Sequence, residues 1–364
     1  MTVGVGVVGA GFISDAYLEN LTAFPDLRVE AVADLDVERA RAQAAKYGVP
    51  RSGSVADLLA LPDVEIVVNL TVPAVHVEIS LAAVEAGKHV WTEKPIGLDR
   101  QTVRKLLDRA REKGVRVAGA PDTLLGAGHQ TAFRALEAGR IGEPVTALAL
   151  FQTPGPEGWH PAPEFLFQAG GGPLLDIGPY YLTQLVRVFG PVRKVTGAGG
   201  RGRATRVIGS GPRAGTEFPV TVPTTVGALV EFARGGSAQV LFSFDSAVRR
   251  TGFVEVSGGL GTAVLPDPNR FDGSTVLHLA GGAGEEEVAA VGHGASRGTG
   301  VLELARAVRG GVPERASGEL AFHVVDVMVA VEESMERGAG VEVDSRVEAG
   351  ELLPVGWDPF SRTL

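Results

Sequence analysis

Three stretches of this 364-residue chain carry residue types and spacings that could do chemistry. The first is Gly9-Ala10-Gly11-Phe12-Ile13-Ser14, which follows the apolar run Val3 to Val8 and opens a helix-like segment. Gly9 suits a tight turn, and Gly11 lets the backbone approach a pyrophosphate. The N–H groups and dipole of the helix start, where Phe12 and Ile13 stand, then hold the phosphates. Ser14 stands where a third glycine is usual and is still small enough for close helix–strand packing. A literal G-x-G-x-x-G at Gly4, Gly6 and Gly9 would begin inside the strand, so the later register is the one that fits the mechanism. Asp34 ends the next strand-like run, 23 residues beyond Gly11. Its carboxylate can accept from ribose hydroxyls and would repel a 2′-phosphate, which favours NAD over NADP. The second stretch is Val90-Trp91-Thr92-Glu93-Lys94-Pro95. Lys94 falls at the carboxyl end of a strand, where open α/β sheets bind ligands and an ammonium can polarise a substrate oxygen. The third is Gly158-Trp159-His160-Pro161-Ala162-Pro163-Glu164-Phe165, a stiff loop of rings and prolines suited to sugar recognition, with His160 as a candidate base. Downstream, Asp176 lies between Leu175 and Ile177, where a carboxylate costs too much to bury without a partner.

The elements that must position these residues follow from periodicity. Up to residue 120, strands at Val3 to Val8, Arg28 to Ala33, Glu65 to Leu70, Lys88 to Thr92 and Val115 to Ala118 alternate with helices. The helices are expected at Phe12 to Phe24, from the N-cap Asp36 to Tyr47, from Ser54, at Val75 to Ala86, and from the N-cap Asp99 to Lys113. Gly48, Gly87 and Gly114 close three of them. Alternation with short connections predicts an α/β Rossmann domain over residues 1–120, a doubly wound parallel sheet. Beyond it come helices at Gly128 to Glu137 and Leu174 to Phe189, a strand at Val145 to Phe151, and a Pro/Gly/aromatic loop over 154–172. Val226 to Ala233 and Ser237 to Asp245 flank Arg234-Gly235-Gly236 as a hairpin, and helices are expected at Leu302 to Val308 and Glu319 to Arg337. Strands that run together predict an α+β domain over 121–364.

Composition excludes several partners. Lys and Arg number 34 against 43 Asp and Glu, a net charge of −9 with no basic run, so neither nucleic acid nor an anionic membrane is expected. No cysteine is present, which removes disulfides, thiolate metal sites and a cysteine nucleophile. No His/Asp/Glu spacing suggests a metal, and no apolar run is long enough to span a bilayer. The N-terminus carries no basic, signal-like segment, so a cytoplasmic location is expected. Glycine is high, at 50 residues, but only 10 fall before residue 120, so the excess belongs to loops of the second half.

Several of these motifs together resemble the glucose–fructose oxidoreductase / inositol dehydrogenase / MocA family. The matching pieces are Gly9 to Ser14, Thr71-Val72-Pro73 with His76, and Ala86-Gly87-Lys88-His89-Val90 running into Glu93-Lys94-Pro95. Gly170-Gly171-Gly172-Pro173-Leu174-Leu175-Asp176-Ile177-Gly178 and Arg315-Ala316-Ser317 with His323 match further on. The resemblance implies a Rossmann domain followed by an open, mostly antiparallel sheet that pairs subunits into a homodimer or homotetramer. It also implies NAD(P)-dependent chemistry on a sugar, cyclitol or related polyol. The lysine of the family's Glu-Lys-Pro falls on Lys94 and the aspartate of its Asp-x-Gly on Asp176. Thr71, Pro73, His76, Glu93 and Lys94 are implied neighbours of the cofactor. The family's usual histidine, four residues past the aspartate, is replaced here by Tyr180. Histidine suits proton transfer near neutrality, whereas tyrosine titrates near ~10 and needs a nearby cation. The expected group is therefore Lys94, Asp176 and Tyr180, with Tyr180 or Lys94 exchanging the proton and Trp159 and His160 completing the substrate site. Two other readings stay open: a redox-assisted, NAD-dependent glycosidase or eliminase, and a non-catalytic nucleotide sensor.

Overall fold

Runs of apolar, β-branched residues bounded by caps and glycines build the first sheet, and every residue of its first strand is buried. A computed structural model describes residues 2–282, 284–348 and 350–364. The strands are β1 (Val3–Val8), β2 (Leu27–Ala33), β3 (Arg51–Gly53), β4 (Ile66–Asn69), β5 (His89–Thr92) and β6 (Val117–Gly119). They pair in parallel in the order β3-β2-β1-β4-β5-β6. Between them run α1 (Ser14–Leu21), α2 (Val37–Tyr47), α3 (Val55–Leu59), α4 (His76–Glu85) and α5 (Arg100–Lys113). The expected caps form. The Asp36 carboxylate accepts from Arg39 N at 3.2 Å and that of Asp99 from Thr102 N at 2.8 Å. Ser54 and Asp57 make a reciprocal capping box, and Gly48 and Gly114 end their helices in the left-handed region. α1 is shorter than the expected Phe12 to Phe24, because residues 11–13 form the turn beneath the glycine loop and Thr22 closes the other end.

The chain forms two compact units, and the division is not the linear one expected. The first comprises Met1–Gln130, Val291–Phe322 and Gly350–Leu364; the second comprises Thr131–Ala290 and His323–Ala349. Residues 291–322 and 350–364, expected in a second domain over 121–364, thus return to the first unit. Buried pairings draw them there. The fully buried Asp122 carboxylate accepts from Gly298 N and Gly300 N at 3.0 and 3.1 Å, and Gly300 lies flat against Trp91, where a Cβ would stand 2.0 Å from the ring. Gly119 N donates to Ala316 O at 3.0 Å, and Asp26 accepts from Thr363 N at 2.9 Å. Contacts across so many residues leave no periodic trace in sequence.

The second unit is built on a sheet whose strands alternate buried and half-exposed residues. Helix α6 (Ala127–Glu137) leads into β7 (Pro144–Gln152), α7 (Pro173–Phe189), β8 (Val192–Gly200), β9 (Thr205–Val207) and β10 (Glu217–Pro219). Then come β11 (Thr225–Phe232), β12 (Ser237–Ser243), β13 (Arg250–Gly258), β14 (Gly261–Leu265), β15 (Thr275–Leu279) and β16 (Gly284–Val288). Helix α8 (Thr299–Gly310) belongs to the first unit, and α9 (Gly318–Arg337) and the short β17 (Val341–Glu342) follow it. Nine strands run β16-β15-β14-β13-β7-β12-β11-β8-β17, all pairs antiparallel except β7 with β12; β9 and β10 form a separate ribbon. The hairpin expected around Arg234-Gly235-Gly236 is β11–β12, with Thr225 opposite Ser243 and Glu231 opposite Ser237. Ala228, Val240, Ala149 and Val254 line up across four strands on the buried face, the side on which α7 packs.

Candidate active site

The glycine loop has the geometry its sequence promises. Gly9 adopts φ +102°, and a Cβ there would stand 2.7 Å from the Leu70 carbonyl, so only glycine fits between β1 and the end of β4. A Cβ on Gly11 would meet nothing within 4 Å, so the loop is open on its outer side. No described side chain caps α1; Ser14 N donates to Gly11 O at 3.0 Å, and its other starting amides are left to a ligand. Ser14 is fully buried; its hydroxyl donates to Gly11 O at 2.6 Å and accepts from Gln43 Nε2 at 2.9 Å. Asp34 does more than face the solvent. Its Oδ2 accepts from Ala10 N at 2.7 Å and its Oδ1 from Asp36 N at 2.9 Å, tying the acidic residue to the glycine loop. Each oxygen keeps a second lone pair for a hydroxyl.

Three apolar side chains surround this edge of the sheet: Phe12 at 95% exposure, Leu35 at 100% and Val72 at 60%. They follow β1, β2 and β4, around the switch point between β1 and β4 where dinucleotides bind. Apolar groups left open at such a place suit the flat faces of an adenine and a nicotinamide. An open glycine cradle, uncapped helix amides, a ribose-side carboxylate and these apolar flanks together fit NAD. Leu35 and Val72 were not singled out from sequence. An apolar residue between two acids in Asp34-Leu35-Asp36 was the available signal for the first.

The loops after β4 and β5 are held by a dense set of side chain to main chain bonds. Lys94, half-buried, follows β5. Glu93 uses both carboxylate oxygens inside the protein: Oε1 accepts from Tyr17 Oη at 2.7 Å, and Oε2 accepts from Lys94 N at 2.9 Å. Trp91 Nε1 donates to Tyr17 Oη at 3.2 Å. Burial pushes the Tyr17 hydroxyl well above its ordinary range, and the negative charges of Glu93 and Asp122 add to this, so it stays a donor. Burial likewise raises Asp122, against the pull of Arg297 and the amides of Gly300 and Gly298. His76, expected beside the cofactor, is fully buried. Its Nδ1 lies 2.7 Å from Pro95 O and its Nε2 2.9 Å from Thr71 O, so both ring nitrogens face the protein's own carbonyls. Asn69, fully buried at the end of β4, accepts from the Thr71 hydroxyl at 2.6 Å and donates to His76 O at 2.9 Å. Pro73 begins the turn that leads into α4. Tyr17 and Asn69 lie in helix and strand patterns whose periodicity points to packing alone.

Asp176 and Tyr180 belong to the second unit, on α7, whose helix runs unbroken through Pro179. Their four-residue spacing therefore keeps them on one face. Asp176 is half-buried and Tyr180 buried at 7% exposure. The neighbouring Tyr181 is engaged with β13 instead, where its hydroxyl accepts from Gly252 N at 2.8 Å, and burial raises it above the ordinary tyrosine range. In the loop before α7, the rings of Trp159, His160 and Phe165 stack edge to face, with centroids 5.5 Å apart at each contact. Trp159 is 62% and Phe165 48% exposed. The loop is braced by buried Arg206 from β9, which pairs with Glu157, with Asp245 at 2.5 Å and with Pro154 O at 2.8 Å. Arg206 was also missed; an arginine in a short strand carries no sequence signal of burial. Among the described residues no group of three or more His, Asp or Glu is placed to hold a metal.

A parallel sheet in this order, with an open glycine loop after β1 and an acid after β2, defines a dinucleotide-binding domain. Similar proteins agree with this. The model of the oxidoreductase family with the NAD-binding Rossmann fold matches residues 3–120, and that of the GFO/IDH/MocA C-terminal domain matches residues 129–264. The chain is 31% identical over 271 residues to trans-1,2-dihydrobenzene-1,2-diol dehydrogenase of Bos taurus, covering 74% of this chain and 75% of that protein. It is 36% identical over 178 residues to 1,5-anhydro-D-fructose reductase of Ensifer adhaerens, a match to 47% of this chain and only about half (52%) of the reductase. An NAD binding oxidoreductase from Klebsiella pneumoniae superposes with TM-score 0.83 at 25% identity, over 95% of this chain and 100% of that one. Levoglucosan dehydrogenase, solved with NADH and levoglucosan, shares the fold at TM-score 0.83 and 21% identity, over 94% of this chain and 100% of that one. The chain belongs to the Gfo/Idh/MocA family of NAD-binding oxidoreductases.

Proposed function

We propose that this oxidoreductase interconverts a ring hydroxyl and the corresponding ketone on a sugar, cyclitol or related cyclic polyol, with NAD as the redox partner. The observation that carries this reading is Lys94, held by its own backbone at the carboxyl end of β5, on the sheet edge that also presents the glycine loop and Asp34. Relatives named as reductase or dehydrogenase of anhydrofructose and of a dihydrobenzenediol support the substrate class. NAD, when bound, supplies the hydride acceptor at its nicotinamide ring. Gly9, Gly11, Phe12 and Ile13 would hold its phosphates and Asp34 its adenosine ribose, with Thr71 and Pro73 beside its nicotinamide end.

The chain's own groups handle substrate and proton. In the oxidation direction the Lys94 amine accepts the hydroxyl proton, and in the reduction direction its ammonium returns that proton to the carbonyl oxygen. Asp176 and Tyr180, one helical turn apart on α7, are the second unit's groups for the substrate's hydroxyls. Trp159 stacks on the apolar face of the ring while His160 bonds its hydroxyls. The same reading includes a homo-oligomer, supported by the face of the second sheet opposite α7, where Leu241, Leu150 and Phe253 align across β12, β7 and β13 and are each only half-buried. It also includes the cytoplasm, where such cofactors are held.

Steady-state assays of a panel of cyclic polyols and their keto forms, run in parallel with NAD(H) and NADP(H), test the proposal. Turnover with at least one such pair, faster with NAD, is expected. A preference for NADP would remove the role given to Asp34. Tight NADH binding with no turnover on any member would replace the enzyme by a nucleotide sensor.

A further inference from the structure

Lys94 sits between two points at which the main chain is fastened. On one side its own N–H is held by Glu93 Oε2 at 2.9 Å. On the other, the carbonyl of Pro95 is held by His76 Nδ1 at 2.7 Å. Neither fastening ends there. The second oxygen of Glu93 is held by the Tyr17 hydroxyl at 2.7 Å, itself joined by Trp91 Nε1 at 3.2 Å, and Tyr17 and Trp91 are both fully buried. Tyr17 belongs to α1, the helix whose first turn would face the cofactor's phosphates, and lies three residues beyond Ser14. The other nitrogen of His76 reaches Thr71 O at 2.9 Å, in the loop after β4. So the lysine is tied on one side to the helix that would carry the pyrophosphate, and on the other to the loop that would border the nicotinamide.

We infer that Tyr17, through Glu93, and His76, through Pro95, are positioning residues that set the register of Lys94 against the bound dinucleotide. This rests on the role proposed for Lys94. Neither side chain touches substrate; each acts by fixing backbone. An ammonium on a four-carbon stem reaches out from its Cα, so where the Cα is held sets where the ammonium can act. Fully buried, doubly bonded side chains are an effective means of fixing it, because breaking either bond strands a polar atom away from water. A purely packing role for Tyr17 would not require its hydroxyl, and one for His76 would not require a ring nitrogen 2.7 Å from the Pro95 carbonyl.

The test is Tyr17→Phe, which removes one oxygen and keeps the ring, together with Glu93→Gln and the double variant. Turnover is expressed per NADH-binding site, counted by nicotinamide fluorescence, so that any misfolded fraction drops out. Tyr17→Phe should lower kcat about 30-fold, while KM and the Kd for NADH change less than about threefold, since misplacement of a reacting group acts on the transition state. The double variant should lose little more than the worse single one, because both act through the same tie. Unchanged kcat in Tyr17→Phe, a loss confined to thermal stability, or strictly multiplicative losses in the double variant would each overturn the inference. Lys94→Ala separates this from the underlying reading. If it turns over normally, the role of Lys94 fails and the inference with it; if it is inactive while Tyr17→Phe is normal, only the inference fails.

Discussion

The loops around Lys94 and the loop carrying Trp159 are built on opposite principles. Around Lys94 nearly every polar atom that can reach the main chain is used: Asn69, His76, Glu93 and Tyr17 each commit their groups to backbone or to one another, and all are buried. Around Trp159 the rings of Trp159 and Phe165 stand open, and stiffness is supplied from beneath by Arg206 with Glu157 and Asp245. The first arrangement fixes one backbone geometry around Lys94. The second offers a rigid base with adaptable apolar surface, which suits a part of the molecule that selects among ring-shaped substrates. The sheets differ in the same sense. β1 and β4 are buried at every residue, whereas β11 and β12 alternate, leaving one face half-open.

The contrast can be broken most decisively at Lys94. Lys94→Ala should lower kcat at least about 1000-fold with NADH affinity nearly intact, the scale of a lost general acid–base group. Single-turnover kinetics with pre-bound NADH would check it, and a loss below about tenfold would remove the distinction between the two loops.

A smaller effect concerns the tie between α9 and β8 in the second unit. His323 is fully buried, accepts from Val192 N at 2.9 Å and bonds Ser345 Oγ at 2.7 Å. Desolvation pushes its pKa down to about 4, helped by Arg346 and opposed by Asp326. Because the folded value lies below the unfolded one of ~6.5, stability is full above pH 6.5 and falls as acid protonates the unfolded chain preferentially. The loss from this group should reach about 3 kcal/mol by pH 4. In urea unfolding, the stability gap between the native protein and His323→Asn should therefore narrow from pH 7 to pH 4. A gap that stays constant would take His323 out of the acid response.

The smallest effect is expected at the open loop. Trp159→Ala should raise KM for a cyclic polyol about tenfold and leave kcat within about twofold, as loss of a stacking surface that serves ground and transition states alike. A fall in kcat with KM unchanged would show that this loop, too, sets catalytic geometry.

Much of the first sheet was legible because its signals are local. Asp36, Ser54 and Asp99 cap where their side chains reach the next turn's amides, and Gly48 and Gly114 stop helices because αL conformations suit glycine. The hairpin around Gly235-Gly236 was legible for the same reason. The glycine loop, Asp34 and Lys94 could be named because strand ends, not distant contacts, place them. Tyr17, Asn69 and Arg206 could not. Each sits in a pattern whose periodicity says only that it packs, and the partner that gives its polar atom a purpose lies tens of residues away, or seven residues on across a turn for Asn69.

The sequence by itself determined the alternation of strand and helix, the caps, the nucleotide-binding turn and the types of residue available for proton transfer, since these depend on neighbours within a few residues. Only the tertiary structure decided that residues 291–322 and 350–364 rejoin the first unit, that both nitrogens of His76 face carbonyls, and that the backbone of Lys94 is fastened through Glu93 to Tyr17 of α1. Those outcomes depend on burying polar groups in pairs, and a pair is defined by distance in space, which a linear pattern does not record.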